Sequence, residues 1–147
     1  MRPEEKLSQL NLMLEEPLGI DGNYIGCVRT GNLIFTSGRG GETYFGKLGK
    51  ELTIEEGYEA SKEAMLHLLR VLKDELGELS RIRQVVKVHG MVNSATDFTD
   101  QPSVINGASD LLIEILGEKG RHARSAVGMA QLPHNMAVEI EMIVEIE

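Results

Sequence analysis

Along the C-terminal run of the chain Val138, Ile140, Met142, Val144 and Ile146 alternate with Glu139, Glu141, Ile143 and Glu145. Successive side chains of an extended strand point to opposite faces, so this run lays one row of apolar groups on a core and a mostly anionic row on the other side. A chain that ends this way needs a sheet with one covered face.

The cover is also legible. Thr53 and Glu56 form a capping box, after which Tyr58, Met65, Leu68, Leu69, Leu72 and Leu76 share one helical face until Gly77 stops the helix. A second helix is predicted from near Pro102, after Asp100, with Val104, Ala108, Leu111, Leu112 and Ile115 inward before Gly117. Strand-like runs fall at Tyr24–Arg29 and Leu33–Ser37, separated by Thr30, Gly31 and Asn32 as hairpin punctuation, and at Ile82–Val92 and Arg124–Ala130. Leu7, Leu10 and Leu14 recur at helical spacing, which predicts a leading amphipathic helix over about 3–16, ended before Pro17. The order after that helix is ββαβαββ, an α+β arrangement with two helices on one face of a mixed sheet. The uncovered face invites oligomerisation.

At 147 residues, with no Ser-rich, Pro-rich or charge-block linker, the chain is expected to form a single domain over 1–147. A net charge of -8 opposes binding to phosphate backbones and anionic membranes, and zero Trp leaves little for base stacking, so nucleic acid is not the expected partner. Cys27 is the only cysteine, which excludes an intrachain disulfide. The charged start lacks a secretory apolar stretch, and no run of about 18 apolar residues occurs; a soluble cytoplasmic protein with no membrane partner is the expectation.

Several signals read as bland. Gly41–Lys47 matches the first seven positions of a phosphate-binding loop, but Leu48 stands where Ser or Thr would hold magnesium. His67, His89, His122 and His134 show no paired ligand spacing, so no metal site is expected and each reads as a surface or packing residue. Glu141 and Glu145 read as a solvated sheet face.

Two stretches carry more. GNYIGCVRTGNLIFTSG, Gly22–Gly38, and ARSAVGMAQLPHNMAVEIE, Ala123–Glu141, resemble the opening hairpin and the closing signature of the Rid family, the YjgF-type reactive intermediate deaminases. The resemblance covers most of the chain beyond about Leu18. It implies a chorismate-mutase-like homotrimer whose sheets form a central barrel, with ligand clefts between neighbouring subunits. Carried over by position, Arg124 would bind the substrate carboxylate and Glu139 would activate the attacking water. Tyr24, Ser37, Gly38 and Arg39 would line the cleft, Asn106 would reach it from the second helix, and the backbone around Ala126 would complete the water site. Arg124 and Glu139 are expected to meet on the polar face of the closing strands. The implied substrate is a small carboxylate-bearing metabolite, and the implied reaction needs no cofactor.

The chain departs from the family at Arg39, Gly40 and Gly41, where Gln, an aliphatic residue and Pro are usual, which predicts a more mobile, more charged cleft lip. The leading helix is longer than the family's usual start, and the run Thr99–Pro102 reads as an insertion. Three functions follow from the resemblance: hydrolysis of 2-aminoacrylate-like enamines and imines, non-catalytic binding of a 2-keto acid, and the ribonuclease or translation-inhibitor role that some members are assigned. Acidity and the scarcity of aromatics weigh against the last.

Overall fold

The computed structural model describes residues 1–147. Helix α1 (Pro3–Gln9) leads into a long irregular segment. The hairpin β1 (Cys27–Thr30) and β2 (Leu33–Thr36) follows, then helix α2 (Ile54–Leu76), strand β3 (Ile82–Asn93), helix α3 (Gln101–Leu116) and strands β4 (Ala123–Met129) and β5 (Val138–Ile146). The sheet order is β1-β2-β5-β3-β4, antiparallel except for the β3–β4 pair. Both helices lie on one face, as the patterning requires.

The last strand is central rather than peripheral. Its row Val138, Ile140, Met142, Val144 and Ile146 is buried among Leu68, Leu72, Ile105 and Leu112 of the helices. The N-terminus of α2 is closed as the capping box predicts, with Thr53 Oγ1 accepting from Glu56 N and Glu56 Oε1 accepting from Thr53 N. The helices cross closely at Gly107, where Ser61 Oγ donates to Val104 O at 2.6 Å and accepts from Ala108 N at 3.0 Å.

Two boundaries differ from expectation. Helix α1 stops at Gln9, not near residue 16, because Asn11 adopts a left-handed conformation (φ 59°) and Leu12 N donates back to Leu7 O at 2.8 Å. That is a Schellman closure with Asn in the place glycine usually takes, and it acts well before Pro17. Leu12 and Leu14 therefore pack on the core from an irregular strap rather than from a helix. Strand β1 likewise begins at Cys27, which leaves Tyr24 on the strap.

The phosphate-loop look-alike is an ordinary loop. Gly46 O accepts from Asn93 Nδ2, and Lys47 Nζ is spent on Asn93 Oδ1 and Ala130 O. No helix is long and apolar enough to cross a membrane.

A Cβ at Gly107 would collide with Tyr58 O and lie 2.5 Å from Ser61 Oγ, so the two backbones would have to part. Gly107→Ala is expected to cost at least about 2 kcal/mol in denaturant unfolding.

Candidate functional site

Strand alternation sorts the carried-over residues before any distance is measured. On β5, Glu139 falls between buried Val138 and Ile140 and so faces away from the helices. Its partner on β3 is Met91, whereas Arg124 on β4 pairs with Val88, which is buried on the helix side. Parallel partners share a face, so Arg124 points toward α3. Arg124 and Glu139 thus lie on opposite faces of the sheet with β3 between their strands. The expectation that they meet on the polar face within one chain is wrong, since it treated β4 and β5 as neighbours and they are not.

What the structure brings together instead is two half-sites. The first is an open cleft of about 550 Å³ whose wall includes Tyr24, Ser37, Gly38, Arg39, His134 and Glu139. Strand β2 continues past Thr36 alongside β5, but its register slips: Phe35 faces Ile143, whereas Arg39 faces Ile140. One extra residue on the β2 side makes a bulge, and Thr36 Oγ1 takes up Met142 N at 3.0 Å in the gap. The bulge brings Gly38 against Glu139, where a Cβ would lie 2.6 Å from Oε2. Only glycine fits there with the carboxyl in place.

Burial, and then the neighbouring Glu141 charge, hold the Glu139 carboxyl above the ordinary carboxylate range. Ser37 serves the cleft by tethering: its N donates to Gly26 O at 2.8 Å and its Oγ to Ile25 O at 2.5 Å, fixing the strap that carries half-exposed Tyr24. Asp21 and His134 close part of the rim through a 3.0 Å contact.

Arg39 lines this cleft, yet its guanidinium is turned away from Glu139. It bridges Ile140 and so shares the helix-side face, where Nη1 donates to Gly19 O at 3.3 Å and Nε is buried without a partner. Behind it His67 is 3% exposed with neither ring nitrogen bonded; burial, reinforced by the Arg70 charge, lowers its pKa. Nor is the lip loose. A Cβ at Gly41 would strike Glu63, whose carboxylate accepts from Glu42 N, Thr43 N and Thr43 Oγ1. The glycines permit close packing there, and Glu63 ties the lip to α2.

The second half-site lies at the opposite edge of the sheet, lined by Asn106, Ser109, Ile113, Arg121, His122 and Arg124. Arg124 Nη1 donates to Asn106 Oδ1 at 2.8 Å and to Ser109 Oγ at 3.2 Å, and no carboxylate lies within salt-bridge range. Asn106, carried over by position alone, thus holds Arg124 together with Ser109. Ala126, two residues on, shares the helix-side face of β4 and is half-buried.

Sequence reasoning missed Ser109, His122, His134 and Asp21. For two of them a signal existed. Ser109 is one helical turn from Asn106, and His122 has strand spacing to Arg124, so each shares a face with a residue already singled out.

The family model described as "YjgF/chorismate mutase-like, putative endoribonuclease" matches residues 4–146. The chain is similar to the Trypanosoma cruzi protein TCP17, 39% identical over 99% of this chain and 94% of that one. A solved Shewanella oneidensis structure described as "a putative endoribonuclease" is 35% identical, covering 99% of this chain and 100% of that chain at a TM-score of 0.96. RidA from an Antarctic Psychrobacter is 26% identical, covering 89% and 94%, at a TM-score of 0.60.

Ionising Glu139 is penalised in the fold, so the native state holds that proton to higher pH than the unfolded chain does. Stability is therefore lost as pH rises from the ordinary carboxylate range through the raised native value, and the penalty is absent below both. Glu139→Gln is expected to raise the denaturant midpoint at neutral pH and to lose that advantage near about pH 4.

Proposed function

Because the chain belongs to the YjgF/chorismate mutase-like family, we propose that it hydrolyses small 2-aminoacrylate-like enamines and imines to 2-keto acids and ammonia, in clefts between the subunits of a homotrimer. One observation carries this reading. The residues that match the family's site fall into two incomplete halves on opposite faces of one sheet, one on β5 beside the β2 bulge and the other at the β4 edge, each with chemistry the other lacks. Glu139 with Tyr24 can handle a water molecule but offers no cation beside the carboxyl, while Arg124 with Asn106 offers a cation but no carboxylate, and both ring nitrogens of the neighbouring His122 are already engaged by Ser109 and Gly120. A closed cyclic assembly sets one edge of each copy beside the other edge of the next, which completes every cleft at once.

The open sheet face supports such an assembly. Val28, Phe35 and Val127 are exposed there beside Ile143, an apolar surface that water alone covers poorly.

The chemistry then follows from the residue types. An enamine first takes a proton at carbon to become an iminium, whose carbon is already electrophilic, so positioning matters more than a strong nucleophile. Arg124 holds the substrate carboxylate with a planar fork suited to two oxygens. Glu139 accepts a proton from water as its oxygen bonds to the C=N carbon. Glu139 returns that proton to the amine nitrogen of the resulting carbinolamine; the C–N bond then breaks as the hydroxyl oxygen forms the keto C=O, ammonia leaves, and the hydroxyl proton passes to it through Glu139. Its raised pKa makes the Glu139 carboxylate a stronger proton acceptor than an ordinary one. The reaction as written calls for no metal or cofactor.

The endoribonuclease description belongs to relatives. Here a net charge of -8 and the absence of Trp supply neither a phosphate track nor a stacking platform.

The test is to generate imines with an amino-acid oxidase in the presence of the purified protein and follow keto-acid appearance. Acceleration is expected, with a trimer mass by light scattering; no acceleration, or a monomer at micromolar concentration, overturns the reading. Arg124→Ala should cost about 2 to 4 kcal/mol of transition-state binding, a fall in kcat/KM on the order of 30-fold to 1000-fold, with the trimer intact. Lys at that position is expected to restore only part of the rate. Glu139→Gln should keep keto-acid binding and lose hydrolysis, because an amide holds water but is a poor proton acceptor.

A further inference from the structure

We infer that Ser109 and His122 are positioning residues that commit one nitrogen of Arg124 to the protein and so orient its free edge toward the ligand. This rests on the reading of Arg124 as a carboxylate anchor, and it goes beyond it by saying how the carboxylate docks. The argument starts at Gly120 O, which lies 2.6 Å from His122 Nδ1. A carbonyl can only accept, so Nδ1 carries the ring proton. In the neutral ring Nε2 is then an acceptor, and the group in front of it is Ser109 Oγ at 2.8 Å. The hydroxyl hydrogen therefore points at the imidazole. Its lone pairs are left for Arg124 Nη1 at 3.2 Å.

Asn106 Oδ1 takes the other Nη1 hydrogen at 2.8 Å. Both hydrogens of Nη1 are thereby spent. Nε and Nη2 donate to no protein acceptor, and they form the parallel pair that a carboxylate can bridge. The ligand carboxylate accordingly docks side-on, across Nε and Nη2, rather than end-on across the two Nη groups. Ser109 is 7% exposed, so water competes little for its hydroxyl. Helical spacing puts Asn106 and Ser109 on one face of α3, and strand spacing puts His122 and Arg124 on one face of the chain entering β4. Neither element could assemble the clamp alone.

The test reads Arg124 with and without ligand. In the ligand-free protein, ¹⁵N NMR of Arg124 is expected to show separate Nη1 and Nη2 signals, because two hydrogen bonds slow rotation of the guanidinium. Ser109→Ala should merge them. The same substitution should weaken pyruvate binding about 10-fold by calorimetry, the scale of one hydrogen bond to a charged group, while kcat at saturation changes little. In an Arg124→Ala background it should change affinity no further. His122→Phe, which removes the hydroxyl's orienter and keeps the hydroxyl, should act in the same direction, more weakly, and serves where Ser109→Ala fails to fold. The inference is overturned if both variants leave the Arg124 signals separate, or if Ser109→Ala costs as much affinity with Arg124 absent as with it present. Should the unaltered protein neither hydrolyse imines nor bind pyruvate, the proposed function fails, and the NMR comparison still decides the positioning role.

Discussion

Burial of the β5 row Val138, Ile140, Met142, Val144 and Ile146 beneath α2 and α3 is the constraint on which the rest of the structure depends. The strand is held on both sides, by β2 and by β3, so it cannot shift one neighbour without breaking the other. A slip by one residue would drive Glu139, Glu141 and Glu145 into the helices and leave carboxylates desolvated without partners. The register is therefore set by the cost of the alternative as much as by the gain of the native packing. Once it is set, Glu139 has no choice of face.

The same rule governs the opposite side of the site. Strand β4 is an edge strand paired only with β3, and period-two alternation puts Arg124 on the face that α3 covers. There Asn106 and Ser109 hold it. The two residues that the proposed chemistry needs together are thus driven apart by the same alternation that makes the core. A single sheet cannot reconcile them, which is why the proposed function calls on a neighbouring copy, and the exposed apolar groups on the uncovered face are a surface that such a copy would cover.

Elements whose stop and start signals are local were legible from the residues. The capping box at Thr53, the stop at Gly77 and the alternation of β5 all appear where the pattern puts them. The leading helix was misjudged because Leu7, Leu10 and Leu14 satisfy helical spacing, while the actual stop is a left-handed Asn11 that only the backbone reveals. The close packing of the lip was not legible for a related reason. Glycine allows both freedom and close approach, and which of these operates depends on Glu63, a residue far along the chain that packs against Gly41.

The sequence by itself determined the α+β class and the helix-covered face, because each rests on periodicity or on short motifs read within one element, and the family resemblance singled out the candidate site residues. It did not determine which of those residues share a cavity. That depends on strand order, and β3 entering between β4 and β5 is a long-range choice made by the packing of two helices on the whole sheet. The tertiary structure decided that Tyr24, Ser37, Gly38 and Glu139 form one half-site and that Arg124, Asn106, Ser109 and His122 form another. The physical reason is that side-chain direction is a local property of a strand, whereas proximity is a property of the sheet into which it is hydrogen-bonded.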